Sequence, residues 1–489
     1  MDMATATGPM AAERALVGPG TAAVAAALLA SPAHALDWSF TPTLSDSLTF
    51  TDNVELAPPG EEDWELINVI SPGFNVTGDS ARTTVNASYR LRALTHLRES
   101  DRDRLNHVFS GSLNSELIGE NLFIDASARY SQEVLSLFGP IGLDDTSDTG
   151  NVEDVGTVSV SPYLVNRFGS FAESTLRYRH SRVYRDFSED NYSNSASWNL
   201  DSGSRFGRLS WGLDAQAQRV TGVDRDPATF RSASASVGYE LTRKLRVTAS
   251  GGYEDNDYES DRADLSGEFW TVGATYAPNR RTSVSATYGE RYISETKSFS
   301  ITHRRRSAQL SASYSESISS SELSVFEGFE EGDGFVICLP DDPFCAPGQI
   351  IRRTIIPVFE PVNEFSYTRR GTGTLTIFGT RNTLTFNAFQ VRRDFEVSEE
   401  ETTQTGGSVS WTWKLGPVTS FNSTASYSRN ESELSEREDD LYSFTAGFNR
   451  SIGQDINASL RYRHVRRDSN EPAGEYRENA ITLTVSASF

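Results

Sequence analysis

The sequence is poor in cysteine. Only Cys338 and Cys345 occur in 489 residues, so a scaffold held together by disulfides is excluded. Beyond the first 35 residues it also lacks long hydrophobic runs. No segment there approaches the ~20 apolar residues of a membrane-crossing helix. Positive charge is in deficit, with 45 Lys and Arg against 67 Asp and Glu and a net charge of -22. That balance argues against a nucleic-acid footprint, which needs a basic face. Histidines number six and lie far apart: His34, His96, His107, His180, His303 and His464. No phosphate-cradling glycine loop, zinc-binding H-E-x-x-H or nucleophile elbow is present. The sequence therefore offers no catalytic, cofactor-binding or metal-ligating set, and no cofactor is expected.

Aromatic residues are plentiful instead, with 27 Phe, 18 Tyr and 7 Trp. The chain ends on Ile481, Leu483, Val485, Ala487 and Phe489 alternating with Thr482, Thr484, Ser486 and Ser488. A period of two marks a strand with one apolar and one polar face. The same alternation recurs as apolar-x-Ala-x-Tyr. It appears in Val85-Ala87-Tyr89, Ala126-Ala128-Tyr130, Val272-Ala274-Tyr276, Val284-Ala286-Tyr288 and Leu310-Ala312-Tyr314, and with the alanine one step earlier in Ala235-Val237-Tyr239 and Ala458-Leu460-Tyr462. Tyrosine at the end of each apolar face suits a bilayer headgroup region. A thin, alanine-rich face suits lipid, which demands no jigsaw fit.

The connections alternate in length. Short turns occur near Gly78-Asp79, Gly119-Glu120-Asn121, Pro278-Asn279-Arg280 and Gly453-Gln454-Asp455. Longer acidic connections are read between residues 138–154, 255–264, 399–403 and 431–440. These features predict an all-β fold: a transmembrane antiparallel up-and-down β-barrel of about 22 strands, within a range of 18 to 24. An even count places both termini on the periplasmic side. Closure requires the terminal strand to pair with the first mature strand, Phe40 to Phe50. Phe489 is read as the insertion signal offered to the barrel-assembly machinery, as in the last strands of bacterial outer-membrane barrels.

Residues 1–35 read as a signal peptide, with an apolar run before Ala33-His34-Ala35. Residues 36–489 read as the barrel domain, located in the outer membrane against lipid and lipopolysaccharide. Within it, residues 321–362 form a long loop, either external or constricting the mouth. Cys338 and Cys345 are expected to pair there as a local disulfide, because export reaches an oxidising compartment. Arg90, Arg92, Arg129, Arg177, Arg179, Arg246, Arg291, Arg461 and Arg463 are assigned to the polar, lumen side of their strands. Two readings stand for these arginines. One is a structural ladder paired with carboxylates. The other is an electropositive path for an anionic solute or polysaccharide.

The chain resembles the outer-membrane β-barrel family associated with PEP-CTERM/exosortase systems and their exopolysaccharide loci. The resemblance spans nearly all the mature chain. It rests on Thr51-Asp52-Asn53-Val54 with Ala57-Pro58, Asn106-His107, Arg281 to Gly289, His303-Arg304-Arg305-Arg306, and Asn382 to Phe386 leading to Arg392-Arg393. None of these residues is catalytic. The resemblance implies a non-enzymatic envelope role, a porin-like channel or export component for exopolysaccharide. The alternative it leaves open is a non-conducting anchoring barrel whose loops retain polysaccharide or surface protein. A barrel enzyme assembling Ser, His and carboxylate from separate strands is a third reading. No plug domain and no tetratricopeptide array is read ahead of the barrel.

Overall fold

In the computed structural model the described residues are 36–186, 190–222, 226–260, 264–292, 294–319, 335–337, 350–352, 365–453 and 455–489. The chain forms β1 (Asp37–Thr51), β2 (Glu65–Asp79), β3 (Thr83–His96), β4 (Arg104–Ile118), β5 (Leu122–Val134), β6 (Val152–Arg167), β7 (Ala172–Arg185) and β8 (Asn191–Ser202). It continues through β9 (Leu209–Thr221), β10 (Ala228–Thr242), β11 (Leu245–Asp257), β12 (Ser266–Asn279), β13 (Thr282–Glu290), β14 (Glu295–Arg304) and β15 (Ala308–Ser319). A short ribbon follows, β16 (Phe335–Ile337) paired with β17 (Ile350–Arg352). The remaining strands are β18 (Ser366–Phe378), β19 (Asn382–Phe395), β20 (Glu401–Lys414), β21 (Thr419–Ser432), β22 (Arg437–Ile452), β23 (Ile456–Ser469) and β24 (Tyr476–Ser488).

Apart from the ribbon, every strand joins one 22-stranded antiparallel sheet. Each strand pairs with its neighbour in sequence, and β15 pairs with β18. The sheet closes where β24 meets β1, with Phe50 opposite Ile481 and Leu48 opposite Leu483. The barrel therefore has no free edge, which satisfies every strand's backbone groups without water. The carboxy-terminal residue completes the seam, its N–H donating to the Pro42 carbonyl at 3.0 Å.

The faces are inverted relative to a soluble protein. Ile481 and Leu483 are 50% exposed on β24, while Thr484 between Leu483 and Val485 is 3% exposed. The exposed face is the lipid face. Aromatic residues border it at both ends. Near the chain termini lie Trp38, Phe40, the stacked pair Trp411 and Trp413, and Phe448. Toward the other end, tyrosines point their hydroxyls at polar partners on the next strand. Tyr89 reaches His107 at 2.8 Å, Tyr178 reaches Asn194 at 2.8 Å and Tyr462 reaches Asn479 at 2.8 Å. A ring in lipid with its hydroxyl at the polar boundary is the arrangement an interface favours.

The turns at the end that holds Asp37 and Ser488 are short, such as residues 80–82, 119–121 and 243–244. The opposite end carries the longer connections, including residues 52–64 and 135–151. Two connections predicted to be long are short. β19 ends at Phe395 and β20 begins at Glu401, and β21 ends at Ser432 and β22 begins at Arg437, so these two connections are only residues 396–400 and 433–436. Their acidic side chains fall on strand ends, where cross-strand arginines pair them: Arg429 holds Asp440 at 2.9 Å and Glu438 at 2.6 Å. The signal-peptide reading, the Cys338–Cys345 pairing and most of the 321–362 loop lie outside the described residues.

Candidate functional site

The lumen wall has two characters. From β11 to β21 much of it is lined by hydroxyl pairs bridging adjacent strands. These include Ser250 with Thr271 at 2.6 Å, Ser285 with Ser300 at 2.7 Å, Ser313 with Thr372 at 2.8 Å and Ser410 with Thr424 at 3.0 Å. Such pairs satisfy each other across the ladder and leave a neutral, wettable surface. From β22 through the seam to β7 the wall is charged instead.

Over the charged part lies the β5–β6 connection, residues 135–151, folded inward. Leu137, Ile141, Leu143, Asp144, Asp145 and Thr146 are all buried. The loop's neck is tied by Asn151: its carbonyl accepts from the Leu135 N–H at 3.0 Å, and its Oδ1 accepts from the Ser136 N–H at 2.9 Å. Asn151 Nδ2 also donates to the Pro140 carbonyl at 3.1 Å. The preceding Gly150 has φ +62°, left-handed backbone that suits glycine. From this neck the loop runs past β4, β3, β2 and β1 to reach β24, β23 and β22.

Its apolar side seats Leu143 among Leu56, Leu441, Val465 and Tyr476. The Tyr476 hydroxyl accepts from the Ile141 N–H and donates to the Ile141 carbonyl, both at 3.2 Å. Its polar side is gripped by arginines. Asp144 pairs with Arg463 and Asp145 with Arg92. Arg104 donates to the Asp145 carbonyl at 2.8 Å and pairs with Asp148 at 3.2 Å. Arg467 donates to the carbonyls of Gly139 and Phe138, the latter at 3.0 Å, and pairs with Asp439. Arg437 donates to the Phe138 carbonyl at 2.7 Å and pairs with Asp439 at 3.0 Å. Behind Arg463 stands Glu478 at 2.7 Å, itself accepting from the Thr51 hydroxyl at 2.7 Å.

A second connection, residues 52–64, braces the first. The Asp148 N–H donates to the Val54 carbonyl at 2.9 Å. Val54 packs on Ile67, Val69 and Leu94, aliphatic residues at the outer end of the lumen face. Asn53 holds this turn by donating to the Ala57 and Arg477 carbonyls at 2.8 and 3.0 Å.

Burial raises the pKa of the Asp144 carboxyl, but Arg463 and the Thr146 hydroxyl and N–H outweigh it. The net effect holds that carboxyl below its usual range, so it is charged and fully engaged at neutral pH.

Of the predicted arginines, Arg90, Arg92, Arg461 and Arg463 are brought together beneath this loop. Arg90 donates to the Ser45 hydroxyl at 3.2 Å. Arg129, Arg177 and Arg179 lie on the lumen face of β5 and β7. Arg177 pairs with Asp125 at 2.8 Å and lies over the Tyr163 ring at 3.9 Å. Arg246 stands apart on β11, donating to the Ser210 hydroxyl at 2.5 Å. Arg291 is not on a strand: β13 ends at Glu290, and Arg291 caps the outer rim by pairing with Glu254. The sequence reading extended the strand alternation one step too far there.

The β5–β6 loop itself was not anticipated as a lumen element, and Arg104, Arg437 and Arg467 were not singled out. A signal existed. The run from Leu135 to Leu143 carries five large apolar residues in a connection that should be solvated, punctuated by Gly139, Pro140 and Gly142. Apolar residues in a long loop ask for a place to bury.

The five histidines among the described residues are scattered. His107, His180 and His464 face outward with the tyrosine girdle, His96 lies 3.4 Å from Asp103 and His303 meets the Thr282 hydroxyl at 2.8 Å. Their partners differ, and the structure brings none of these rings to another.

No family model and no curated protein matches the sequence. Solved structures do match the fold. The FrpB iron transporter from Neisseria meningitidis (F5-1 variant) aligns with a TM-score of 0.51 at 10% identity, covering 92% of this chain and 82% of that one. The ferric enterobactin receptor PfeA from Pseudomonas aeruginosa, in complex with enterobactin, aligns with a TM-score of 0.50 at 11% identity, covering 92% and 81%. At these identities the likeness is one of architecture: the chain has the 22-stranded closed barrel of outer-membrane receptors.

Proposed function

We propose that the protein is an outer-membrane channel or export component serving an exopolysaccharide, as the resemblance to the PEP-CTERM/exosortase-associated barrels implies. The observation that carries this reading is the lumen. One part is largely hydroxyl-lined, the other is densely charged, and a folded connection narrows the passage over the charged wall. A wide polar lumen is what passage of a hydrated polymer requires, because each sugar exchanges water for hydroxyls of similar strength. Transport follows from the fold class of its structural neighbours only in general; the polymer is this proposal's own step.

A second reading is a non-conducting anchor, with rim loops that retain polysaccharide or a surface protein. The buried pairs that fasten residues 135–151 favour it, since a fixed connection narrows the passage permanently. One experiment separates the two. A strain lacking the protein is scored for polysaccharide in the medium and in the periplasm. Periplasmic accumulation with loss from the medium supports export. Continued secretion with loss of cell-attached polymer supports anchoring and overturns export.

A further inference from the structure

We propose that Asp144 and Asp145 act as a tethered internal anion. They occupy an arginine cluster on the lumen wall that receives the carboxylates of an acidic polymer, and that polymer displaces the loop as it passes. The inference rests on the channel reading and adds its substrate class and its gate.

Three observations lead there. First, the arginines all belong to the wall, where Glu478 answers only Arg463, and the other carboxylates that meet Arg92 and Arg463 belong to the loop. Arg92 projects from β3 and Arg463 from β23, while their partners Asp145 and Asp144 are adjacent residues of a connection. When the loop leaves, the cationic site remains on rigid strands. Second, the wall holds more cation than the loop answers. Arg461 stands two residues from Arg463 on the same lumen face, within electrostatic reach of Asp144. Among the described residues it makes no hydrogen bond and no ion pair. An unpaired guanidinium beside Arg463 meets like-charge repulsion, and an incoming carboxylate relieves it. Third, the docked loop leaves polar atoms unsatisfied. Asp145 Oδ1, Glu478 Oε2 and Arg463 Nε are buried without hydrogen-bond partners. The internal anion fits the site less well than a freely placed ligand can, so competition favours the ligand.

The loop is also built to leave as a unit. Asn151 fastens its neck by four hydrogen bonds, to Leu135, twice to Ser136 and to Pro140, next to the left-handed Gly150. Motion is thereby confined to the neck and does not require the loop to unravel.

The test is calorimetric binding of oligogalacturonate, with maltohexaose as the uncharged control, to the full chain in detergent. Barrel integrity is checked by heat-modifiable gel mobility. In the D144N/D145N variant the competitor is neutralised, and oligogalacturonate is expected to bind at least about tenfold more tightly than to the wild type. R461Q leaves both loop pins in place and is expected to weaken uronate binding about fivefold in either background. Maltohexaose is expected to show neither change. Equal affinities in wild type and D144N/D145N, equal binding of maltohexaose, or an unaltered affinity in R461Q overturns the proposal. Should the double variant fail to fold, R461Q alone carries the test. The channel reading is judged separately by conductance. A conducting protein without uronate preference removes this inference alone, and uronate binding without conductance removes the channel.

Discussion

Arg467 shows how a single side chain can hold two elements in register. Its guanidinium joins the carboxylate of Asp439 on β22 to the carbonyls of Phe138 and Gly139 in the loop. Both ion-pair side chains are almost fully buried, at 2% and 1%. Removing Arg467 leaves Asp439 to Arg437 alone and takes a donor from the Phe138 and Gly139 carbonyls, so the cost falls short of the roughly 3–5 kcal/mol of a fully stranded buried charge and is borne mainly by the loop. Arg467→Leu is therefore expected to undock residues 135–151 without opening the sheet. Hydrogen–deuterium exchange should speed up in the loop while the strands stay protected. Uniform exchange across both would show that the loop is not held by this pair.

Asp144 gives the loop a pH dependence of definite sign. Its carboxyl is held below the ordinary value of 3.8, so its contribution is fully present above that value. The contribution is lost as pH falls through the depressed value. Loop protection, taken relative to the intrinsic exchange rate at each pH, should be flat from neutral pH down to about 4 and fall only in stronger acid. In Asp144→Asn that acid-induced loss of protection should disappear. A loss already at mildly acidic pH in the wild type would mean another group controls docking.

At the scale of elements, alternation was readable and destination was not. The period of two on β24 names its lipid face because a pleated strand sends successive side chains to opposite sides. Leu483→Arg should therefore cost about 2–4 kcal/mol, as a cation at the bilayer midplane does. Thr484→Arg, one position on, faces the lumen and should cost far less. Recovery of folded, heat-modifiable barrel in each variant checks this, and equal losses would contradict the assignment of faces. The path of the β5–β6 connection could not be read in this way. Its partners, Arg463, Arg467 and Tyr476, lie more than 300 residues away in sequence, and only closure of the sheet brings them near. Arg291 failed for the opposite reason: a local pattern was continued past the end of β13, where the strand period no longer applies. The tyrosine positions succeeded because a bilayer boundary acts on every strand at once.

For the whole molecule, two strands set the topology. β1 and β24 carry matching apolar faces, and their pairing closes the sheet at Phe50 and Ile481. That closure was legible from the alternation of residues 40–50 and 481–489 alone. The division of the lumen into a largely hydroxyl-lined side and a densely charged side was not, because it depends on which polar residues meet across strands. The division matters for passage. A loop fixed by charge over the charged wall narrows the barrel while leaving the hydroxyl wall untouched.

The central claim is that residues 135–151 form the constriction of a conducting barrel. Single-channel recording in planar lipid bilayers tests it most directly, comparing the wild type with a variant in which residues 137–147 are replaced by a short Gly-Ser linker. The prediction is a conductance several-fold higher in the variant, with a shift toward anions as Arg92 loses Asp145 and Arg463 loses Asp144 while keeping Glu478. Unchanged conductance and selectivity, or no conductance from either protein, would contradict it.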